Sequence, residues 1–240
     1  MLYLIGLGLN YDGISKYGLT IVKRCKKIYL ENYTVDFPYS LQQLKDVIGK
    51  KIIPVGRDLV ENLKIIDQAK NCDIALLVYG SPLTATTHIS LIQEAKASKI
   101  KYQVIYNASI FDAIGETGLQ LYKFGKIVSI PSWKKNYEPD SFMEIVKQNL
   151  ASQAHSLILI DIGLEFQDAL GQLEKAAKKY DLKLKKLIIC QRLGAKYHKV
   201  LYRNFEDLKE FTGIQKPYCL IIPSKLHFVE KEFLEGLKNE

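Results

Sequence analysis

The sequence predicts an α/β fold of two α/β domains, the first built on a mostly parallel sheet and the second on a mixed one. Three observations carry that reading. Through the first half, short apolar runs alternate with helix-like segments, the rhythm of parallel strands covered on both faces. In the second half, two strand-like runs near residues 187 and 199 follow one another with no helix between them, which brings in antiparallel pairing. Finally, the apolar run Ile74-Ala-Leu-Leu-Val78 stops abruptly at Tyr79-Gly80-Ser81-Pro82 before small and hydroxylated residues lead into a helix. In an open α/β sheet, that carboxyl edge is where ligands sit. Glycine there lets the backbone approach a ligand, and proline fixes the loop beforehand.

The elements follow in order. Leu2–Ile5 reads as a first strand, closed by Gly6-Leu-Gly-Leu-Asn10, and a helix runs from Ser15, a natural N-cap, to Cys25. A strand over Lys27–Leu30 precedes an irregular stretch to Ser40, and the helix Leu41–Ile48 stops at Gly49. Then come a short strand at Ile52–Ile53, a helix over Leu59–Ala69, the central strand Ile74–Tyr79 and a helix over Ser90–Ala97. A strand at Tyr102–Tyr106 and a helix at Ser109–Gly118 end the first domain, residues 1–118. The second domain, residues 119–240, has strands at Lys126–Ile130, Ser156–Asp161, Leu187–Cys190, Lys199–Tyr202 and Tyr218–Ile222. Its helices are Phe142–Leu150, Glu165–Tyr180 and Phe228–Leu237.

Composition narrows the function. Apolar residues make up 48% and charged residues 25% of 240, ordinary values for a water-soluble globular chain. No apolar run reaches the roughly 18 residues a membrane span needs, and the first strand starts without a basic n-region, so neither membrane nor secretion is expected. Four widely spaced cysteines form no metal or disulfide framework, and buried thiols in a cytoplasmic protein are the expectation. The net charge of +8 comes from lysines on helix-like and turn-like segments. Those lysines read as solvated faces or as a surface for an acidic macromolecule. No aromatic-interleaved basic motif points to nucleic acid.

Several chemical motifs fail on inspection. Gly6-x-Gly8 with a later Glu31 suggests a dinucleotide loop, but Tyr11 stands where the third glycine belongs. His227-x-x-Glu230 is half of a metal motif that nothing completes. No Gly-x-Ser-x-Gly elbow occurs, and Asp161 reads equally as a turn cap. No catalytic residue and no metal ligand is assigned. Ligand loops without a nucleophile or base suit a reaction whose cofactor carries the reactive group while the protein aligns it. Methyl transfer from a sulfonium is such a reaction.

Four segments carry a family resemblance: Tyr3-Leu-Ile-Gly-Leu-Gly-Leu9, Pro82-Leu-Thr-Ala-Thr-Thr-His88, Glu116-Thr-Gly-Leu-Gln-Leu-Tyr-Lys-Phe-Gly125 and Pro223-Ser-Lys-Leu-His-Phe-Val-Glu230. In order and over nearly the whole length, they resemble diphthine synthases, S-adenosylmethionine-dependent methyltransferases of the tetrapyrrole methylase-like group. The resemblance implies a cofactor cleft between the two domains, release of S-adenosylhomocysteine, and usually a homodimer. It also implies repeated methylation of an amino group on a modified histidine of elongation factor 2. Carried over by position, the cofactor contacts would be Leu9, Ser81, Thr84, Ser109, Ile110, Ile160, Leu193 and His227. Read without the resemblance, Leu9, Ile110, Ile160 and Leu193 are core residues at strand ends, Ser109 is a helix cap and His227 a surface or capping histidine.

The family loop normally reads Gly-Asp-Pro. Here it is Gly80-Ser81-Pro82, so weaker cofactor binding or a compensating acid nearby is expected. The segment from 163 to 187 also looks shorter than is usual for the family. Two other readings stand beside this one. A corrin or uroporphyrinogen methyltransferase would ring its polycarboxylate acceptor with cations, whereas arginine is scarce here. The other is a non-catalytic α/β binding module.

Overall fold

A computed structural model describes residues 1–237 of the chain. It contains two compact units. One comprises Met1–Ala113 with Gly194–Lys196; the other comprises Ile114–Leu193 and the chain from Tyr197 onward.

The first unit runs β1 (Leu2–Gly6), α1 (Lys16–Arg24), β2 (Lys27–Glu31), α2 (Leu41–Ile48), β3 (Ile53–Val55), α3 (Arg57–Val60), α4 (Lys64–Ala69), β4 (Ile74–Val78), α5 (Ile89–Ala97), β5 (Tyr102–Ile105) and α6 (Ile110–Ala113). Its sheet has the order β3-β2-β4-β1-β5, and every pairing is parallel. The continuous apolar run of β4 puts it at the centre, where all five residues are buried. Ala75 and Leu77 join one apolar layer, with Ile21, Val22, Leu44 and Ile48 of α1 and α2. Ile74, Leu76 and Val78 join the other, with Leu91, Ile92 and Ala95 of α5. Each large side chain buried this way contributes roughly 1.5–3 kcal/mol. Because all five strands run the same way, their carboxyl ends form one edge.

The second unit runs β6 (Val128–Ile130), α7 (Ser141–Ala151), β7 (Ser156–Ile160), α8 (Phe166–Lys179), β8 (Lys186–Gln191), β9 (Lys199–Asn204), α9 (Phe205–Leu208), β10 (Tyr218–Ile222) and α10 (Phe228–Gly236). Its sheet is β6-β7-β10-β8-β9, parallel only between β6 and β7. The expected antiparallel pair near 187 and 199 is β8–β9, joined over six residues on each strand.

Several local expectations are corrected. The helix expected over 59–69 is two short helices, broken where Leu63 takes φ +60°. The helix expected over 109–118 is one α-turn, α6, continued as a 3₁₀ turn over Ile114–Thr117. The third strand lies at Ile53–Val55 and contains Pro54, which an edge strand tolerates because one side of it lacks a ladder partner. Helix α9 has too few residues to show a periodicity. No helix among the described residues is long and apolar enough to cross a membrane.

Candidate functional site

At the carboxyl edge of the first sheet, three loops are tied together, two by their own backbones and the third by a side chain. The Gly8 N–H donates to the Gly80 carbonyl at 3.1 Å, and the Gly80 N–H donates back to Gly8 at 2.9 Å. Both residues hold left-handed φ, +71° and +68°, a conformation glycine adopts without steric cost. Gly6 is also fixed by space: a Cβ there would lie 2.6 Å from the Gly80 oxygen and 2.8 Å from Asn107 Cβ. Asn107, after β5, closes the third side. Its Nδ2 donates to the carbonyls of Gly6 at 3.1 Å and Gly13 at 2.9 Å, while its Oδ1 accepts from the Ala108 N–H at 2.8 Å.

Beyond Gly80, the loop folds around a single carbonyl. The Pro82 oxygen accepts from Thr86 Oγ1 at 2.8 Å and from His88 Nδ1 at 2.9 Å. A carbonyl can only accept, so Nδ1 of the buried His88 carries the proton. This is what the Ala-Thr-Thr-His segment does: it turns the chain back, with Ala85 at φ +53°, and pins it before α5 begins.

A second wall comes from the connection between β2 and α2. The buried Glu31 carboxylate accepts from the Tyr33 N–H at 3.1 Å and Thr34 Oγ1 at 2.7 Å, which fixes the start of the loop and explains Glu31 without a nucleotide. Ser40 and Gln43 form a capping box at its end. Between them, Phe37 and Tyr39 pack on Tyr79, with ring centroids 5.4 and 6.3 Å away, and Tyr11 meets Tyr39 at 6.2 Å. Tyr79 Oη donates to the Leu9 carbonyl at 3.2 Å. Tyr39 Oη is buried with no hydrogen-bond partner among the described residues, and burial pushes its pKa up.

In the second unit the organising group is Glu230, whose side chain is fully buried. One carboxylate oxygen accepts from the Gln120 N–H at 3.0 Å and from His155 Nε2 at 3.3 Å. The other accepts from Lys123 Nζ at 2.5 Å and the His227 N–H at 2.7 Å. Burial alone would raise its pKa, but Lys123, the two backbone N–H groups and His155 outweigh burial and bring it to about 2. The Ser224 N–H donates to His155 Nδ1 at 2.9 Å, so that nitrogen is an acceptor and the neutral ring carries its proton on Nε2, facing Glu230. Burial lowers the His155 pKa, against the pull of Glu230.

The residues assigned from sequence fall into three places. Leu9, Ser81, Thr84, Ser109 and Ile110 all lie on the clamped edge of the first sheet. Leu9, Ser81 and Ser109 are buried there, and Gly80 lies beside Ser109, where a Cβ would make ordinary van der Waals contact with the Ser109 Cα at 3.6 Å. Ser109 also caps its helix: its Oγ accepts from the Phe111 N–H at 3.2 Å and donates to Asp112 at 3.0 Å. Ile160 ends β7 and Leu193 follows β8, at one edge of the second sheet. His227 is elsewhere. It follows the opposite end of β10, and Glu230 links it to His155, which precedes β7; Ile160 is five residues of strand away, about 16 Å. The sheet topology therefore separates His227 from the other two. Sequence reading missed Asn107 and the aromatic wall, since a lone Asn and four scattered rings carry no spacing signal.

With this geometry in view, comparison with known proteins is informative. The sequence profile of the Tetrapyrrole (Corrin/Porphyrin) Methylases matches residues 1–209. The chain belongs to that methylase family. It is 36% identical over 253 residues to the diphthine synthase of Methanocaldococcus jannaschii, covering 99% of this chain and 98% of that one. It is 45% identical over 170 residues to the diphthine methyl ester synthase of Schizosaccharomyces pombe, a match spanning 70% of this chain but only 60% of the yeast protein. A crystal structure of a diphthine synthase superposes with a TM-score of 0.88 at 29% identity, covering 98% of this chain and 95% of that one.

Two of the segments that mark this methylase as like a diphthine synthase meet at Glu230, which joins Gln120 and Lys123 of one to His227 of the other. Their glycines are sites of close approach. A Cβ at Gly118 would lie 2.4 Å from the Phe233 ring, and one at Gly125 would lie 2.2 Å from Asn149 Oδ1.

Asn107→Ala removes three hydrogen bonds from the clamped edge; it should cost roughly 2–3 kcal/mol, measurable by urea unfolding. Glu230→Gln leaves Lys123 without its buried partner and should cost roughly 3–5 kcal/mol at pH 7. Because the Glu230 pKa is depressed in the fold, its contribution is complete above the unfolded value near 4.5 and is lost as pH falls towards about 2. The stability of the Gln variant should therefore vary less than wild type across that acid window.

Proposed function

We propose that this methylase is an S-adenosylmethionine-dependent diphthine synthase, transferring methyl groups repeatedly to the amino group of a modified histidine on elongation factor 2. The observation that carries the reading is the end-to-end correspondence with the Methanocaldococcus jannaschii diphthine synthase. The clamped edge fits an adenosyl ligand. Its glycine backbones stand close behind it, Leu9 and Ile110 supply apolar surface, and Ser81 and Thr84 supply hydroxyls. The buried, unpartnered Tyr39 oxygen offers a further polar contact. Ile160 and Leu193 are proposed as cofactor contacts on one edge of the second unit's own sheet; His227, at the other edge, holds Glu230 through its backbone N–H. The homodimer belongs to the same proposal, supported by apolar side chains exposed on two segments of the second unit that Lys123 and Glu230 join, among them Tyr122 at 82% and Phe228 at 73%.

The bound cofactor supplies a methyl group on a positively charged sulfur, already activated for transfer. What the chain must add is alignment, a route worth at most about 7–11 kcal/mol when both reactants are held in line. The acceptor nitrogen has to be unprotonated, with an α-amino reference pKa of about 8. Among the described residues, the acids beside the clamped loops have partners: Asp12 accepts from Asn10 Nδ2 at 2.8 Å. The Asp112 carboxylate is taken up by the Ser109 N–H at 2.7 Å and by its hydroxyl, and burial holds the Tyr39 phenol in its neutral form. Desolvation of the amine within the site then governs its proton loss.

A second reading is favoured by the name of the 45% identical yeast relative: transfer extends to a carboxylate oxygen, giving a methyl ester. Incubating the protein with S-adenosylmethionine and elongation factor 2 bearing the modified histidine, followed by mass spectrometry, tests both. A primary amine accepts at most three methyls, so a fourth that alkali removes marks the ester; no mass increase at all would overturn both readings.

The serine in the Gly80-Ser81-Pro82 loop also makes a prediction. Asp112, two residues past Ile110, is committed to capping, so it does not replace the missing charge. Ser81→Asp should tighten S-adenosylmethionine about 3- to 10-fold by calorimetry and leave neutral S-adenosylhomocysteine nearly unchanged, as expected for one added charge in partly solvated surroundings.

A further inference from the structure

We propose that Tyr11, Phe37, Tyr39 and Tyr79 form a recognition wall for an alkylated onium cation, either the sulfonium of the methyl donor or the methylated ammonium of the acceptor. The inference rests on the reading of this edge as a methyl-transfer site. The four rings converge from three separate segments on the loop that the glycine clamp presents. Tyr79 directly precedes Gly80 and holds the Leu9 carbonyl, and Tyr11 lies two residues past Leu9. Phe37 and Tyr39 belong to a loop anchored at both ends, by Glu31 and by the Ser40–Gln43 capping box. The wall is therefore set before any ligand arrives.

The rings are not ordinary core. Leu30 and Leu77 beneath them are 3% and 0% exposed, whereas all four aromatic residues keep part of their surface accessible. Phe37, Tyr39 and Tyr79 form a triangle with centroid separations of 5.4, 5.4 and 6.3 Å, closed to a guest at its centre. A ligand must then meet the outer faces. A cation bearing N–H groups is best met by carboxylates; here Glu31 is taken up by its own turn, Asp12 accepts from Asn10 Nδ2 at 2.8 Å through one oxygen, and Asp36, beside Phe37, has a partner of its own. A fully alkylated cation has no N–H to donate and spreads its charge over its methyl groups, so aromatic faces suit it. Tyr39 adds a buried oxygen whose lone pairs have no partner among the described residues.

The test is calorimetry on the whole protein with S-adenosylmethionine, S-adenosylhomocysteine and, in the presence of the latter, tetramethylammonium. Wild type is compared with Phe37→Leu/Tyr39→Leu and with a protein carrying pentafluorophenylalanine at position 37. The fluorinated ring keeps its shape but reverses the charge of its face, so it reports on the cation even if the leucine pair fails to fold. If the wall holds the sulfonium, S-adenosylmethionine weakens about 3- to 30-fold while S-adenosylhomocysteine does not. If it holds the ammonium, tetramethylammonium binding weakens similarly and both nucleosides are unaffected. Unchanged affinities for all three ligands would overturn the wall alone. A wild-type protein that binds neither nucleoside would overturn the reading of the edge itself.

Discussion

The pair of backbone hydrogen bonds between Gly8 and Gly80 is the constraint on which the first unit's chemistry depends. Parallel strands deliver their loops to one edge but leave each loop free to wander. Here two loops are joined by a reciprocal bridge that requires left-handed backbone on both sides, and Asn107 ties the third loop to the first. A backbone tie loses little conformational entropy when a ligand arrives, because the ordering has been completed on folding. The sites assigned to Leu9 and Ser81 are held by this arrangement, whereas Ser109 is fixed by its own hydroxyl, which caps α6.

The second unit solves a different problem by a different route. Its sheet is mixed, so strand direction does not gather the loops, and a buried carboxylate does so instead. Glu230 satisfies two backbone N–H groups, an ammonium and an imidazole at once, which is how a fully buried charge becomes tolerable. Losing one partner exposes the remaining ones to the full cost of burial. Changing Lys123, His155 or Glu230 removes a side chain from this cluster, whereas Gln120 and His227 contribute only backbone N–H groups.

The candidate acceptors differ in the charge they call for. A polycarboxylate tetrapyrrole would call for several cations; among the described residues, the one arginine placed at this edge of the sheet, Arg57 after β3, lies over the Tyr33 ring at 5.6 Å. Full-length similarity to diphthine synthases points the same way. The change from the family's aspartate to Ser81 removes an anion from this edge, and the aromatic rings beside it are the kind of surface that can accommodate a cation without one.

The sequence by itself determined the fold class, the order of nearly all elements and the edge of the first sheet that matters. Burial on both faces writes continuous apolar runs, as in Ile74–Val78, and the chain must leave such a strand through residues like Gly80 and Pro82 that show in composition. It also marked Gly8 and Ser81 by type and position, while Ser109 read by itself only as a helix cap. Only the tertiary structure decided what closes the site. Asn107 bonding Gly6 and Gly13, Phe37 reaching Tyr79, and Glu230 joining Gln120 to His155 are contacts between residues far apart in the chain, which no local spacing encodes. The same is true of His227: the sequence sets it five residues after an apolar strand, but the antiparallel direction of that strand, fixed by its pairing with β7, sends it to the edge away from Ile160.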